Sequence, residues 1–428
     1  VDIIRDWSNQ PYASTWIRKN ASGQYYGVIG SLFRWVKSTG NMRKSVKRFS
    51  KVIQALNIYT LLISQDATKL QIEKFLSGVQ CDEDSNLDWE FYSQYLKDVR
   101  IAIGTRTVHR GGNSLIEYRG SPNKWAPIPF SEKRVHQNQN ILREIEWYNN
   151  SENYQLAWRY YDLYGPVTSC IAGPLDYRPI PQDKVNDEFL VAGEVHLLQE
   201  PGYKLRAIAS PYRLHQLALK PLGDAIYSIV RELPWDCTFN QSKAVPLVQA
   251  ALRNGVKVHS IDLSGATDYF PLEIQLLTLR EVFGEISDIS LFEEISRARW
   301  KSSIGYLQWR RGQPLGLYPS FGAFTLTHGL VLNHLSGGIF RNQFFVVGDD
   351  VVILDQDLYM KYIKFLNITK CPWSPEKSIS SNSCAEFAGK VITGDQVIPQ
   401  YKWRKMSNDN FLDICRCLGP RSRELLSP

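Results

Sequence analysis

An α+β fold is what this sequence predicts, on three observations. The first 110 residues read as mostly helical, with Val52, Ile53, Leu56, Tyr59 and Leu62 along one stripe and Leu70, Phe75 and Leu76 along another. Val256-Lys257-Val258-His259-Ser260-Ile261-Asp262 is a short β-branched run. It passes through Leu263-Ser264-Gly265-Ala266-Thr267-Asp268 into a helix marked by Leu272, Leu276, Leu279 and Phe283, with Pro271 in its first turn. The third stretch, Phe344 to Leu354, holds two apolar β-type runs around Gly348-Asp349-Asp350. It predicts a hairpin of two buried strands with the acids at its turn.

Composition bounds the rest. A chain of 428 residues suffices for a large core and two or three subdomains. Its 43% hydrophobic and 22% charged residues are ordinary for a globular protein. The seven cysteines are odd in number and scattered, which argues against a disulfide framework and fits a reducing compartment. Cys415 and Cys417 stand too close for a zinc knuckle. No apolar run reaches the length of about 18 residues that a membrane span needs, and no signal peptide is evident. The chain starts at Val1, so it reads as an excerpt or an incomplete reading frame.

The acids carry the chemistry. Two adjacent carboxylates beside an apolar core repel one another and lose hydration, so a compensating charge is required. With all-oxygen ligands, a hard divalent cation, Mg²⁺ above all, is the usual answer. Asp262, at the end of its strand, can face a cleft and join Asp349 and Asp350. Phosphoryl transfer by two metals needs such carboxylates, held on separate strands. Taken alone, Asp262 is more often a turn or capping residue, and Gly348-Asp349-Asp350 more often a solvated turn.

Between them, Arg311-Gly312-Gln313-Pro314-Leu315-Gly316-Leu317-Tyr318-Pro319-Ser320 is a Gly/Pro-punctuated loop. It leads into a helix with Phe321, Phe324, His328, Val331 and Leu335 along one stripe. Glycines let backbone approach a ligand closely, and the helix start offers a hydroxyl and free N–H groups. His328 and His334 read as core or surface residues without a role.

Taken in order, Asp262…Asp268, Gly312-Gln313-Pro314-Leu315-Gly316…Ser320, Gly348-Asp349-Asp350 and Glu376-Lys377-Ser378 resemble motifs A to D of viral RNA-dependent RNA polymerases. The wording is most similar to the narnavirus, mitovirus and ourmia-like group, related to the replicases of small RNA bacteriophages. Cys384-Ala385-Glu386-Phe387-Ala388-Gly389-Lys390 resembles motif E. Glu200-Pro201-Gly202-Tyr203-Lys204-Leu205-Arg206-Ala207-Ile208-Ala209 resembles motif F, followed by a similar Gln216…Lys220-Pro221-Leu222 and Phe239-Asn240-Gln241. The resemblance covers roughly residues 190–425.

This resemblance implies a right-hand polymerase. An N-terminal extension and fingers would take 1–255, with a basic helix at 34–63 and motif F at 196–213. A palm would take 256–405, with a fingers insertion at about 285–310, and a short or truncated thumb 406–428. The implied reaction is RNA-templated nucleotidyl transfer from NTPs to an RNA 3′-hydroxyl, replicating a viral positive-strand genome. Asp262, Asp349 and Asp350 would hold two Mg²⁺ ions, with Mn²⁺ able to substitute, and Lys377 would protonate the leaving pyrophosphate. Lys204 and Arg206 would hold the triphosphate. Asp268 and Ser320 would bond the ribose 2′-hydroxyl, and Gly316 would approach the template. The implied partners are template and nascent RNA and NTPs, without a membrane span, in host cytoplasm or, if mitovirus-like, the mitochondrion.

Two alternatives stay open. A reverse transcriptase shares the palm and the acids but usually carries a bulky aromatic at the Asp268 position. Here Tyr269 and Phe270 come one and two places later. A non-catalytic RNA-coating protein would need no intact acid set. One departure from the polymerase pattern is Phe324, where many polymerases carry Asn.

Net charge is +7, and its distribution says more than its size. From Arg34 to Lys51 stand seven basic residues and no acid, with Phe33, Trp35 and Phe49 interleaved. That pattern suits phosphate contacts with base stacking; it equally suits a solvated basic face of a helix over Met42–Ile63. Replacing Lys44, Lys47 and Lys51 with Ala should weaken RNA binding and flatten its salt dependence, by about one unit of slope per lost phosphate contact. Fluorescence anisotropy across a salt series measures that slope, and an unchanged value returns the cluster to the solvated face.

Overall fold

The computed structural model describes residues 18–19, 25–26, 35–57, 66–109 and 191–400, apart from short stretches within those spans. The expectations placed on 110–190 and on 401–428, including the thumb, lie outside the described residues.

Two short strands, β1 (Arg18–Lys19) and β2 (Tyr25–Tyr26), pair near the start of the chain. Helices follow: α1 (Met42–Leu56), α2 (Lys69–Val79) and α3 (Trp89–Ile103). Each of the last two begins where its sequence supplies a cap. Thr68 and Gln71 close a reciprocal capping box on α2, and the Asp88 carboxylate accepts the Phe91 N–H on α3. Two expectations need correction here. Leu70 does not join the apolar stripe: it lies in the first turn of α2 and is 76% exposed, while Phe75 and Leu76 pack on the core. Phe49 is buried with Val52 and Ile53 on the inner face of α1, so it cannot stack on RNA bases.

A long hairpin, β3 (Val191–Glu200) and β4 (Lys204–Pro211), leads into α4 (Arg213–Glu232) and α5 (Val245–Arg253). Then come β5 (Val258–Asp262), the short α6 (Ala266–Tyr269), α7 (Leu272–Phe283) and α8 (Ser287–Arg297). Strands β6 (Arg299–Ser302) and β7 (Gly305–Leu307) return to the first hairpin, giving a four-stranded sheet in the order β4-β3-β6-β7 with β3 and β6 parallel. Residues far apart in sequence thus share one sheet. The parallel join needs the long helical connection between β3 and β6.

Helix α9 (Ser320–Leu335) comes next, then the hairpin β8 (Phe344–Val347) and β9 (Asp350–Ile353), α10 (Gln356–Ile368) and β10 (Ile379–Ser381). A second four-stranded sheet, wholly antiparallel, has the order β10-β5-β9-β8. A three-stranded sheet, β11 (Cys384–Phe387), β12 (Lys390–Thr393) and β13 (Val397–Pro399), packs beside β5. Helices joined to antiparallel and mixed sheets make the α+β class that the sequence predicts.

The continuous apolar runs of the second sheet have a physical cause. Phe344, Val346, Val351, Ile353 and Ile261 belong to the main core, whereas Phe345, Val352 and Val258 point into a second core with Val248, Ala385, Phe387 and Ile392. Both faces are therefore covered, and alternation with polar residues disappears. Each such side chain contributes about 1.5–3 kcal/mol on burial. Helix α9 departs from the single stripe expected of it: nearly every residue from Ser320 to Asn333 is buried, because β8, α3, α4, α7 and α10 surround it.

Some of the polar groups buried inside this core find protein partners. His215 of α4 shares a 3.0 Å hydrogen bond between Nδ1 and the Ala192 carbonyl, and burial pushes its pKa down from 6.5 to about 4. Between those values the unfolded chain takes up a proton that the folded chain refuses, so stability is lost as pH falls through that window. The thermal unfolding midpoint should therefore drop between pH 7 and pH 5, both set to bracket the upper end of the window. His215→Asn, which keeps a donor for Ala192, should shrink that drop; a drop of equal size would clear His215 of the effect.

Candidate active site

The acid cluster is built by strand register. Asp262 ends β5 and lies directly opposite Asp350, the first residue of β9, while Val347 faces Asp350 on the other side. Gly348 and Asp349 form the turn, so Asp350 belongs to a strand and not to the turn itself. Gly348 takes φ +57° in the left-handed region, and a Cβ there would stand 2.6 Å from the Phe321 ring. Only glycine fits both demands.

Asp349 and Asp350 are exposed, yet the protein packed around them raises the pKa of both. Asp350 is pushed up to about 7 by desolvation first, and then by the negative charges of Asp349, Glu386 and Asp262, with Lys204 opposing. Desolvation also raises Asp349, with Asp262 adding to it and Lys204 and Arg206 opposing. Among the described residues no three His, Cys, Asp or Glu side chains come together as a group that could hold a metal ion. Asp262, Asp349 and Asp350 form an open row whose hard oxygen donors and mutual repulsion suit divalent cations.

Three cationic groups border this row. Lys377 Nζ stands 3.9 Å from Asp262 Oδ2. Its loop is tied to β5, because the Ser378 hydroxyl accepts the Asp262 N–H and donates to the Ser374 carbonyl, and the Ser374 N–H donates to the Asp262 carbonyl. Lys204 and Arg206 project from β4, two residues apart and so on one face. Lys204 is exposed. Arg206 is gripped by the Glu200 carboxylate, which accepts from Nε at 2.6 Å and from an η nitrogen at 3.2 Å.

The predicted sugar-facing pair is placed differently from a simple open display. The Asp268 carboxylate accepts the Trp309 indole N–H at 2.8 Å, and desolvation pushes its pKa up to about 6. The Ser320 hydroxyl, 1% exposed, donates to the Pro314 carbonyl at 3.1 Å. Both groups are thus engaged with protein partners.

The loop before α9 is fastened to the strands that carry the cations. The Ala209 N–H of β4 donates to the Leu315 carbonyl, and Gly316, at φ +147°, sits so close to Ala209 that a Cβ would fall 1.9 Å from its carbonyl oxygen. Gln216 clips the loop twice, donating to the Gly316 carbonyl and accepting from the Tyr318 N–H. The Gln313 N–H donates to the Thr267 carbonyl beside Asp268.

Lys44, Lys47 and Lys51 lie on α1, exposed. Beside them the Arg48 guanidinium lies 4.8 Å over the ring of Trp35.

Sequence reasoning missed the groups that hold the acid turn. His328, read as roleless, is wholly buried and lies 2.7 Å from the Gly348 carbonyl through Nδ1 and 2.6 Å from the Tyr362 hydroxyl through Nε2. The Thr325 hydroxyl accepts the Gly348 N–H and donates to Asp236. The signal in the sequence was polar residues within an otherwise apolar helix, Thr325 and His328, whose burial demanded partners.

Residues 112–411 match the family described as mitovirus RNA-dependent RNA polymerase. The chain is similar to the RNA-directed RNA polymerase of Cryphonectria parasitica mitovirus 1, with 28% identity over 206 residues, 47% of this chain and 25% of that protein. It therefore spans about a quarter of that relative's length. An uncharacterized mitochondrial protein of Arabidopsis thaliana is 29% identical over 174 residues, 38% of this chain and 68% of that one. Among solved structures, the RNA-dependent RNA polymerase of a human picorbirnavirus, as an insertion-loop deletion mutant, shares the fold with a TM-score of 0.55. Its identity is 10%, over 99% of this chain and 88% of that one.

Proposed function

The chain belongs to the mitovirus RNA-dependent RNA polymerase family, and from that premise we propose that it makes RNA on an RNA template, transferring nucleotidyl groups from NTPs to an RNA 3′-hydroxyl. The observation that carries the reading is the register of Asp262 opposite Asp350, with Asp349 on the adjoining turn. Three carboxylates on neighbouring strand ends are what nucleotidyl transfer by two metals requires.

In this reading Asp262, Asp349 and Asp350 hold two Mg²⁺ ions, for which Mn²⁺ can substitute. Bound there, the metal supplies a lowered pKa for the 3′-hydroxyl and neutralises charge on the departing pyrophosphate. The chain's own residues do the rest. Lys204 and Arg206 orient the triphosphate, Arg206 exchanging the Glu200 carboxylate for phosphate oxygens. Lys377, held beside Asp262, delivers a proton to the leaving pyrophosphate. Asp268 and Ser320 exchange Trp309 and Pro314 for the ribose 2′-hydroxyl. The sheet β4-β3-β6-β7 with the N-terminal helices would form the fingers, and β10-β5-β9-β8 the palm.

The biological setting we propose is replication of a positive-strand viral RNA genome in the host mitochondrion or cytoplasm. The family and the plant mitochondrial relative favour the mitochondrion. No helix among the described residues is long and apolar enough to cross a membrane.

Primer extension with purified protein, RNA template, Mg²⁺ and labelled NTP tests the reading. Asp262→Asn and Asp349→Asn should each cut synthesis by about a hundredfold or more, several kcal/mol of transition-state stabilisation, while RNA binding holds. Near wild-type extension by Asp262→Asn would show the metal assignment to be wrong.

The same assay separates RNA synthesis from reverse transcription. Wild type should strongly prefer NTPs over dNTPs, because a deoxynucleotide leaves Asp268 and Ser320 without their sugar partner. Ser320→Ala should narrow that preference. Equal or better extension with dNTPs would sink the RNA-polymerase reading, and unaltered selectivity in the variant would remove Ser320 from sugar recognition.

A further inference from the structure

Helix α9 does more than fill the core beneath the acid row. Two of its side chains, one helical turn apart, take up both backbone polar groups of a single residue, Gly348. The Thr325 hydroxyl accepts the Gly348 N–H at 3.0 Å and donates to Asp236 Oδ2 at 2.9 Å. Asp236 is itself fixed, since its other oxygen accepts the Thr238 N–H at 2.7 Å. Its neighbours pair with the edge of β8: the Cys237 N–H donates to the Val346 carbonyl, and the Val346 N–H to the Trp235 carbonyl. On the other side of Gly348, His328 Nδ1 must donate, because a carbonyl can only accept. Nε2 is then the acceptor, and the Tyr362 hydroxyl of α10 donates to it at 2.6 Å. Thr325, His328 and Tyr362 are all wholly buried, so a broken link has no water to replace it.

A hairpin turn does not need this arrangement in order to form. The next residue in the chain is Asp349, and the one after it faces Asp262. We propose that Thr325 and His328 are positioning residues that clamp the peptide groups of Gly348, with Asp236 and Tyr362 behind them, and thereby set where Asp349 and Asp350 stand relative to Asp262. The clamp rests on the polymerase reading for its purpose but not for its geometry. Its hydrogen bonds fix the turn from the two sides, so loss of either lets the acids shift while strands and core remain.

The test uses Thr325→Val, which keeps shape and removes both hydrogen bonds, and Thr325→Ser, which restores the hydroxyl. Tyr362→Phe removes only the donor to His328. Single-nucleotide extension reads kcat and KM for NTP, and electron paramagnetic resonance of added Mn²⁺ reads metal affinity without turnover. Thr325→Val should lose between about tenfold and about a hundredfold in kcat, as small misplacements of reacting groups do, with KM for NTP and RNA affinity little changed. Its Mn²⁺ affinity should fall several-fold. Thr325→Ser should recover most of both losses, and Tyr362→Phe should show smaller losses of the same kind.

If Thr325→Val fails to fold, Tyr362→Phe carries the test alone. Wild-type kcat and Mn²⁺ affinity in the folded variants would overturn the clamp and leave the polymerase reading intact. Equal losses in Thr325→Ser and Thr325→Val would overturn it too, since the hydroxyl would then be irrelevant. A wild type that extends no RNA yet loses Mn²⁺ affinity on Thr325→Val would overturn the polymerase reading and keep the clamp.

Discussion

Everything in the candidate site depends on the pairing of β5 with β9. It sets Asp262 against Asp350 across an antiparallel ladder and leaves Asp349 on the turn next to them. Left to themselves these acids repel, and Asp350 has a raised proton affinity, from desolvation first and from its acidic neighbours second. The pairing survives because the strands are covered on both faces. Phe344, Val346, Val351 and Ile353 enter one core, and Phe345 and Val352 the other. Apolar burial along the strands thus offsets electrostatic cost at their ends, a division seen wherever a rigid scaffold carries a destabilised site.

The cations reach that row through a second sheet. Lys204 and Arg206 come from β4, and β4 is bound to the loop before α9 by the Ala209–Leu315 hydrogen bond and the tight approach of Gly316. Gln216 and Gln313 extend the same fastening to the start of α4 and to α6. A single loop therefore links the strand bearing the cations, the helix bearing Ser320 and the segment bearing Asp268. The helix that begins at Ser320 continues to Thr325 and His328 and so to the acid turn. Movement at the loop and geometry at the acids share one rigid element, since α9 is packed on all sides.

Several features were legible in the residues alone. The acid at the end of a β-branched run and the hairpin around Gly348 each follow from local pattern, and each recurs in the structure. Other features were not legible, for physical reasons. Leu70 has the spacing of a core residue but stands in the first turn of α2, beyond the edge of the packing. Phe49 sits among lysines and arginines, and only the helix phase shows that it faces inward with Val52 and Ile53. His328 looked idle because its partners, Gly348 and Tyr362, come from a turn and a helix that local pattern cannot bring to it.

What the sequence determined by itself was chemistry and order: the acids, the cations, the glycines and the order in which motifs follow one another, because these depend on residue identity and near-neighbour spacing. What the tertiary structure decided was partnership. The facing of Asp262 and Asp350 is a matter of strand register. The engagement of Asp268 by Trp309, of Arg206 by Glu200 and of Gly348 by Thr325 and His328 is a matter of packing. A buried polar group takes whichever complementary atom the fold brings within about 3 Å, and that choice is made only once the whole core has closed.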